Sequence, residues 1–142
     1  MEVLMRVALI SCAKMKRPGV HAAKDLYASP RFKLAWKYAS ARYDRVYILS
    51  AKHGLLEPER RIRAYDASLN DRTTEERLRW ARKVARQIRA VIPPMAFIDL
   101  WCGRAYWNPL RELLDGYQIL APFAWMSQGK QLQWLKANTA GA

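Results

Sequence analysis

Short strings in this 142-residue chain carry side chains able to do chemistry. Lys14 and Lys16 alternate behind Ser11-Cys12-Ala13. If that piece stays extended, both ammonium groups point the same way, and an anion between them relieves their repulsion; a phosphate or sugar-phosphate backbone is the natural guest. Lys52-His53-Gly54 sets an imidazole beside an ammonium, with a glycine freeing the backbone, which suits hydrogen bonding to a base or a leaving group. Tyr65-Asp66 stands among Arg60, Arg61 and Arg63. A carboxylate so placed stays ionised and can stabilise an oxocarbenium-like sugar or direct a water. Each string also has a plainer use: solvated lysines, a histidine bonded to a carbonyl, an aspartate capping a turn.

Other chemistries find less support. Cys12, Cys102, His21 and His53 lack the spacing of metal ligands, so no metal is expected. Cys12 beside two lysines has no general base that the sequence identifies. Gly129-Lys130-Gln131 is not a Walker A loop, because position 131 is not Ser or Thr and position 124 is not Gly. No cofactor is expected. Tyr27, Tyr65, Trp101, Tyr106 and Trp107 fall near loops and could stack on bases, whereas Trp36, Trp80 and Trp134 read as core. Asp99 lies within an apolar run, where it is either paired internally or lines a site.

The elements that position these residues follow from hydrophobic pattern. Val3–Ile10, Arg45–Ser50, Ala96–Trp101 and Tyr117–Ala121 are short apolar runs and read as buried strands. Between the first two, Ala13–Tyr27 reads as a loop. Ser29-Pro30 then starts a helix whose buried face is Phe32, Ala35, Trp36 and Ala39. Thr73 and Glu76 form a capping box for a helix with Leu78, Ala81, Ala85, Ile88 and Ile92 on one face. Arg79, Arg82, Lys83 and Arg86 lie largely on another face, able to contact a nucleic-acid backbone. Pro93-Pro94 ends this helix. Further helices are expected over Ala105–Leu114, closed by Gly116, and over Lys130–Ala137. The alternation predicts one α/β domain over residues 1–142: a three-layer sandwich with a mainly parallel four-stranded sheet flanked by helices.

In such a sheet the ligand crevice lies outside the carboxyl ends of the strands, which is where the chemical strings collect. Charge agrees. Lys and Arg total 25 against 12 Asp and Glu, a net charge of +13, and the excess sits in residues 1–45 and 60–89. Nucleic acid is the expected partner, DNA before RNA. No stretch is long and apolar enough for a membrane helix, no signal peptide is evident, and a cytoplasmic protein is expected. The oligomeric state is not readable.

Ser11-Cys12-Ala13-Lys14-Met15-Lys16, Asp25-Leu26-Tyr27-x-Ser29-x-x-Phe32, Leu49-Ser50-Ala51-Lys52-His53-Gly54-Leu55-Leu56, Tyr65-Asp66-x-x-Leu69 and Gly129-x-Gln131-Leu132-x-Trp134-Leu135 together resemble a small family of bacterial and phage proteins. The resemblance implies a uracil-DNA glycosylase-like fold, with more distant similarity to the transferase domain of archaeosine synthase and to YaaA-type DNA-binding proteins. His53 is followed by Gly54 rather than Pro-Ser, so what it implies is work on a modified base rather than uracil excision. The pocket it implies comprises Cys12, Lys14, Lys16, Tyr27, Ser29, Lys52, His53, Tyr65, Asp66, Gly129 and Gln131.

The expected function is action at a nucleobase or its N-glycosidic bond, glycosylase-like or base-modifying. Asp66, His53 and Lys52 are the expected catalytic residues. The alternatives are a non-catalytic DNA- or RNA-binding domain, and a transferase or hydrolase of a free nucleotide or phosphosugar. The enzymatic reading leans on Lys16, His53, Asp66 and Gln131 surrounding one shared hollow, and side chains scattered over unrelated surfaces would end it.

Overall fold

A computed structural model of the chain describes residues 4–139. Val3, the expected start of the first strand, lies outside them. The first strand, β1 (Arg6–Ser11), is buried on both faces beyond Arg6, as a parallel strand covered by helices should be. It pairs in parallel with β3 (Arg45–Ser50) on one side and β6 (Phe97–Trp101) on the other; β6 pairs in parallel with β7 (Gln118–Leu120). Leu9, Ile10, Ile48, Leu49, Ile98 and Leu100 are fully buried at the centre.

The sheet has five strands and is mixed, in the order β4-β3-β1-β6-β7, rather than the expected four in parallel. The extra strand, β4 (Gly54–Leu56), turns back antiparallel along β3. Gly54 makes the reversal, with φ +76, a left-handed conformation that glycine adopts without a Cβ penalty. A Cβ at this position would also run into the Gln87 side-chain amide. That amide accepts from Leu55 N at 2.8 Å and donates to the His53 carbonyl at 3.4 Å. Leu55-Leu56 is too short an apolar run to signal a strand.

The stretch expected to be a loop holds β2 (Val20–Ala22) and a one-turn helix, α1 (Ala23–Leu26). β2 forms a separate antiparallel ribbon with β5 (Arg61–Arg63), whose Arg-Ile-Arg alternation buries only Ile62. α2 (Pro30–Ser40) begins as expected, Ser29 Oγ accepting from Phe32 N at 3.1 Å. The capping box of α3 (Thr74–Val91) is formed in both directions, at 3.0 and 3.1 Å. α4 spans Arg104–Leu110 and ends earlier than expected: Arg111 N still donates to the Trp107 carbonyl at 3.0 Å, past Pro109, and the chain then tightens into a turn in which Leu113 N donates to the Leu110 carbonyl at 2.9 Å. Gly116 serves instead the turn into β7, with φ +91. α5 covers Gln128–Thr139.

α2 packs against β1, β3 and α5; α3 packs against β4 and α4. Between α2 and α5 an aromatic cluster of Tyr38, Trp101, Phe123 and Trp134 keeps ring centroids 5.0–5.7 Å apart. Trp101 is therefore core and not a platform for bases. Asp99 is paired internally, taking a 2.5 Å hydrogen bond from the Tyr43 hydroxyl.

Candidate functional site

The chain leaves β1 toward β3 and leaves β6 toward β7, in opposite directions along the sheet. The connections that leave the carboxyl ends of β1 and β6 therefore diverge, and open α/β sheets bind ligands at such a switch point. A cleft of about 320 Å³ lies there, within the usual size range of small-molecule sites. Cys12, Ala13 and Lys14 line it from the end of β1, and Gly103, Arg104 and Tyr106 from the end of β6. Ser68 and Asn70 add a third wall and Ser127, Gln128 and Gln131 a fourth.

The groups in the cleft are mostly neutral hydrogen-bonding ones, and among the described residues no Asp or Glu lines it. Gln131 is 3% exposed. Its Nε2 donates to the Met126 carbonyl at 3.0 Å, which leaves Oε1 as the acceptor for a guest. The Cys12 thiol lies 3.2 Å from the Tyr106 hydroxyl, whose pKa burial and Cys12 raise. Behind this wall sits Arg31, only 5% exposed. Its Nη2 donates to the Ser11 and Cys12 carbonyls at 3.3 and 3.0 Å, while Nη1 has no partner among the described residues. Burial lowers the pKa of Arg31, opposed by Cys12, Tyr106 and Cys102. Cys102 is completely buried, its thiol pushed up to about 12, so it stays protonated and inert.

A second group forms at the end of β3, around Tyr65. Ser50 Oγ accepts from the backbone N–H of Lys52 at 3.2 Å and of His53 at 2.9 Å, which ties the β3–β4 turn. With both lone pairs used, the Ser50 hydrogen goes to the Tyr65 hydroxyl, 2.7 Å away. Tyr65 then donates to Tyr27 at 2.6 Å. The chain thus has one direction, Ser50 to Tyr65 to Tyr27. Burial is the main cause raising the pKa of both phenols. Lys16 Nζ lies 4.4 Å from the Tyr65 ring centre and Lys52 Nζ 5.9 Å. The His53 ring meets Tyr65 edge-on at 5.5 Å.

Of the four residues expected around one hollow, Gln131 lines the cleft, and Lys16 and His53 belong to the Tyr65 group. Asp66 is exposed, between Tyr65 of one group and Ala67 of the cleft wall. The expected single pocket is therefore two neighbouring sites: each strand end feeds the space beside it, and β1 lies between β3 and β6. Cys12 links them, since it lines the cleft and acts on Tyr27, Tyr65 and Lys16. Lys14 stands at the cleft rim, 3.9 Å from Asp71. Tyr27 is 1% exposed and packs on Phe32, so it has no ring face open to a base. Ser29 caps α2, and Gly129 lies exposed in the first turn of α5. Arg79, Arg82, Lys83 and Arg86 are exposed on α3.

Sequence reasoning missed Arg31 and Trp125. Arg31 shares the i, i+4, i+8 row with Ala35 and Ala39, a buried row in which an arginine is out of place. Trp125 is 74% exposed, next to Met126 of the cleft, with the Arg104 guanidinium 4.9 Å from its ring centre. Its signal was an aromatic residue in a connection that follows a sheet strand. Among the described residues, no three His, Cys, Asp or Glu are grouped to hold a metal, and no helix is long and apolar enough to cross a membrane.

Comparison with known proteins gives a family without an assigned role. Residues 7–137 match the model of DUF6884, a family of unknown function, and the chain belongs to it. An uncharacterised protein of Bacillus subtilis (strain 168), YfjM, is 39% identical over 62 residues. The match covers 39% of this chain and 41% of YfjM, so the chain spans less than half of that relative. No solved structure matches.

Proposed function

We propose that this DUF6884 protein draws a nucleobase into the β1/β6 cleft from a nucleic-acid strand and acts at that base or at its N-glycosidic bond. The carrying observation is the cleft's lining: the buried amide of Gln131 and the exposed amide and hydroxyl groups of Asn70, Ser127 and Gln128, with Lys14 and Arg104 at the mouth. Amide side chains match the donor and acceptor edges of a base, while cations at the mouth hold the phosphates on either side. Trp125, exposed beside the cleft, supplies a stacking surface for a neighbouring or extruded base. The net charge of +13 supplies the long-range attraction. The fold that goes with this reading is a three-layer sandwich of the uracil-DNA glycosylase type, DNA is the favoured strand, and the protein works in the cytoplasm.

In this reading Asp66, at the edge between the two sites, stabilises positive charge on the sugar or directs the attacking group. His53 and Lys52 serve the phosphate side. A second reading, a domain that binds a strand without transforming it, is favoured by a cleft whose polar lining, among the described residues, is amides, hydroxyls, a thiol and cations. Mass spectrometry of nucleosides and free bases after incubation with DNA and tRNA separates the two. The proposal expects a released or altered base that disappears in Asp66→Asn while binding persists. Tight binding with every nucleoside unchanged overturns it in favour of the second reading.

A further inference from the structure

We infer that the Tyr65 group is a phosphate site in its own right, outside the cleft, built to hold a backbone phosphate of the strand whose base the cleft receives. Cations from three separate parts of the chain converge there. Lys16 comes from the segment after β1, Lys52 from the β3–β4 turn, and Lys83 from α3, its Nζ reaching the Lys52 carbonyl at 3.5 Å. Arg60 is close enough to act on His53. The ion pairs found among the described residues involve none of Lys16, Lys52, Arg60 and Lys83.

Asp66 is close enough to act on Lys16 but forms no ion pair with it among the described residues, so the cations are only partly balanced and still repel one another. The face of one tyrosine ring offsets only part of that repulsion. A phosphate group, with its charge and several acceptor oxygens, satisfies all of them together. The histidine gives a second, independent sign. His53 Nε2 is buried and has no hydrogen-bond partner among the described residues. Its ring is kept neutral by burial and by Arg60, Lys52 and Lys83, a preference that a bound anion reverses. The donor set is therefore two or three ammonium groups on an aromatic floor, with the His53 ring beside them to feel the charge of a bound anion.

The source of the phosphate follows from what lies on either side. The cleft adjoins through Cys12, and beyond Lys83 the exposed face of α3 continues the positive row with Arg82 and Arg86. A polyanion running from the cleft over Tyr65 to α3 meets cations all along its path. This assignment rests on the proposed function for the strand's identity and not for the site's existence.

The chain contains two histidines, His21 and His53, so their ring resonances report the site directly in the whole protein. His21 is bonded to the Pro18 carbonyl at 2.8 Å and serves as internal control. Titration with a single-stranded oligonucleotide should shift the His53 resonances and leave those of His21 in place; an abasic oligonucleotide should do the same. Lys52→Gln with Lys83→Gln, both exposed positions, should weaken oligonucleotide binding about ten-fold or more and lower the log–log salt slope by about one. A still His53, or a weakened complex with an unchanged slope, overturns the site. Movement of His53 with inorganic phosphate or an acidic peptide but not with oligonucleotide overturns the strand as its occupant. Failure of the cleft reading looks different: His53 responds as expected, but Gln131→Leu leaves binding of base-bearing oligonucleotides unchanged.

Discussion

The cleft and the Tyr65 group lie side by side at the same sheet edge, on either side of β1, yet they are built from different chemistry. The cleft is concave and lined mainly by neutral amides, hydroxyls and a thiol, with one buried guanidinium behind its wall. The Tyr65 group is open and cationic, set on a tyrosine whose hydroxyl is fixed by Ser50 and Tyr27. Neutral polar groups in a cleft discriminate between ligands by which hydrogen bonds they leave unpaired. Exposed cations attract any polyanion with little discrimination. On the proposed function the contrast gives specificity to one region and affinity to the other, and it can be broken from either side.

The largest expected effect concerns the turn that carries the cationic region. Gly54→Ala forces a side chain into the left-handed region and into Gln87, and should cost about 3 kcal/mol in denaturant unfolding. Gln87→Ala in the same chain should recover only the part due to the clash. A Gly54→Ala protein of unaltered stability would mean that the turn is not what holds Lys52 and His53 in place. Tyr65→Phe comes next. It leaves the Ser50 hydrogen without its acceptor and should cost about 1–2 kcal/mol, yet it keeps the ring under Lys16 and Lys52. Oligonucleotide binding should therefore survive in that variant, and its loss would show that the hydroxyl chain, not the ring, serves the ligand.

Thr73→Ala removes the cap of α3 and should cost about 1 kcal/mol without changing the salt slope, since the cap touches neither region. The smallest effect is that of pH. Burial and the cations Arg60, Lys52 and Lys83 hold the His53 pKa below its usual 6.5. As pH falls through 6.5 the unfolded chain takes up a proton that the folded chain still refuses, so this contribution to stability falls with pH and is level above neutrality. His53→Gln should flatten that part of the unfolding profile, and an unaltered profile would remove His53 from the charged cluster.

Residue types expose much of this arrangement in advance, for physical reasons that differ by element. The strand Arg45–Ser50 is legible to the residue, because a strand buried on both faces is a continuous apolar run bounded by polar ones. The caps at Ser29 and Thr73 are legible because they are local and depend on three or four residues. β4 and the β2–β5 ribbon are not, being three-residue strands whose pairing is decided by Gly54 and by tertiary contacts. For the candidate sites, the rule about strand ends singles out Cys12, Lys14, Lys16, His53 and Gln131. It does not divide them, because membership of one side of β1 or the other depends on strand order, which local pattern does not encode. Arg31 escapes because an arginine is read as surface unless the row it sits in is counted.

The most direct test of this division of labour is fluorescence anisotropy across a range of salt, with two single-stranded oligonucleotides that differ only in an abasic central position. Gln131→Leu should abolish the preference for the base-bearing strand and leave the salt slope as in the unaltered protein. Lys52→Gln with Lys83→Gln should lower the slope by about one and keep the preference. If both variants change preference and slope together, the cleft and the Tyr65 group are one undivided site, and specificity and affinity are not separated in this protein.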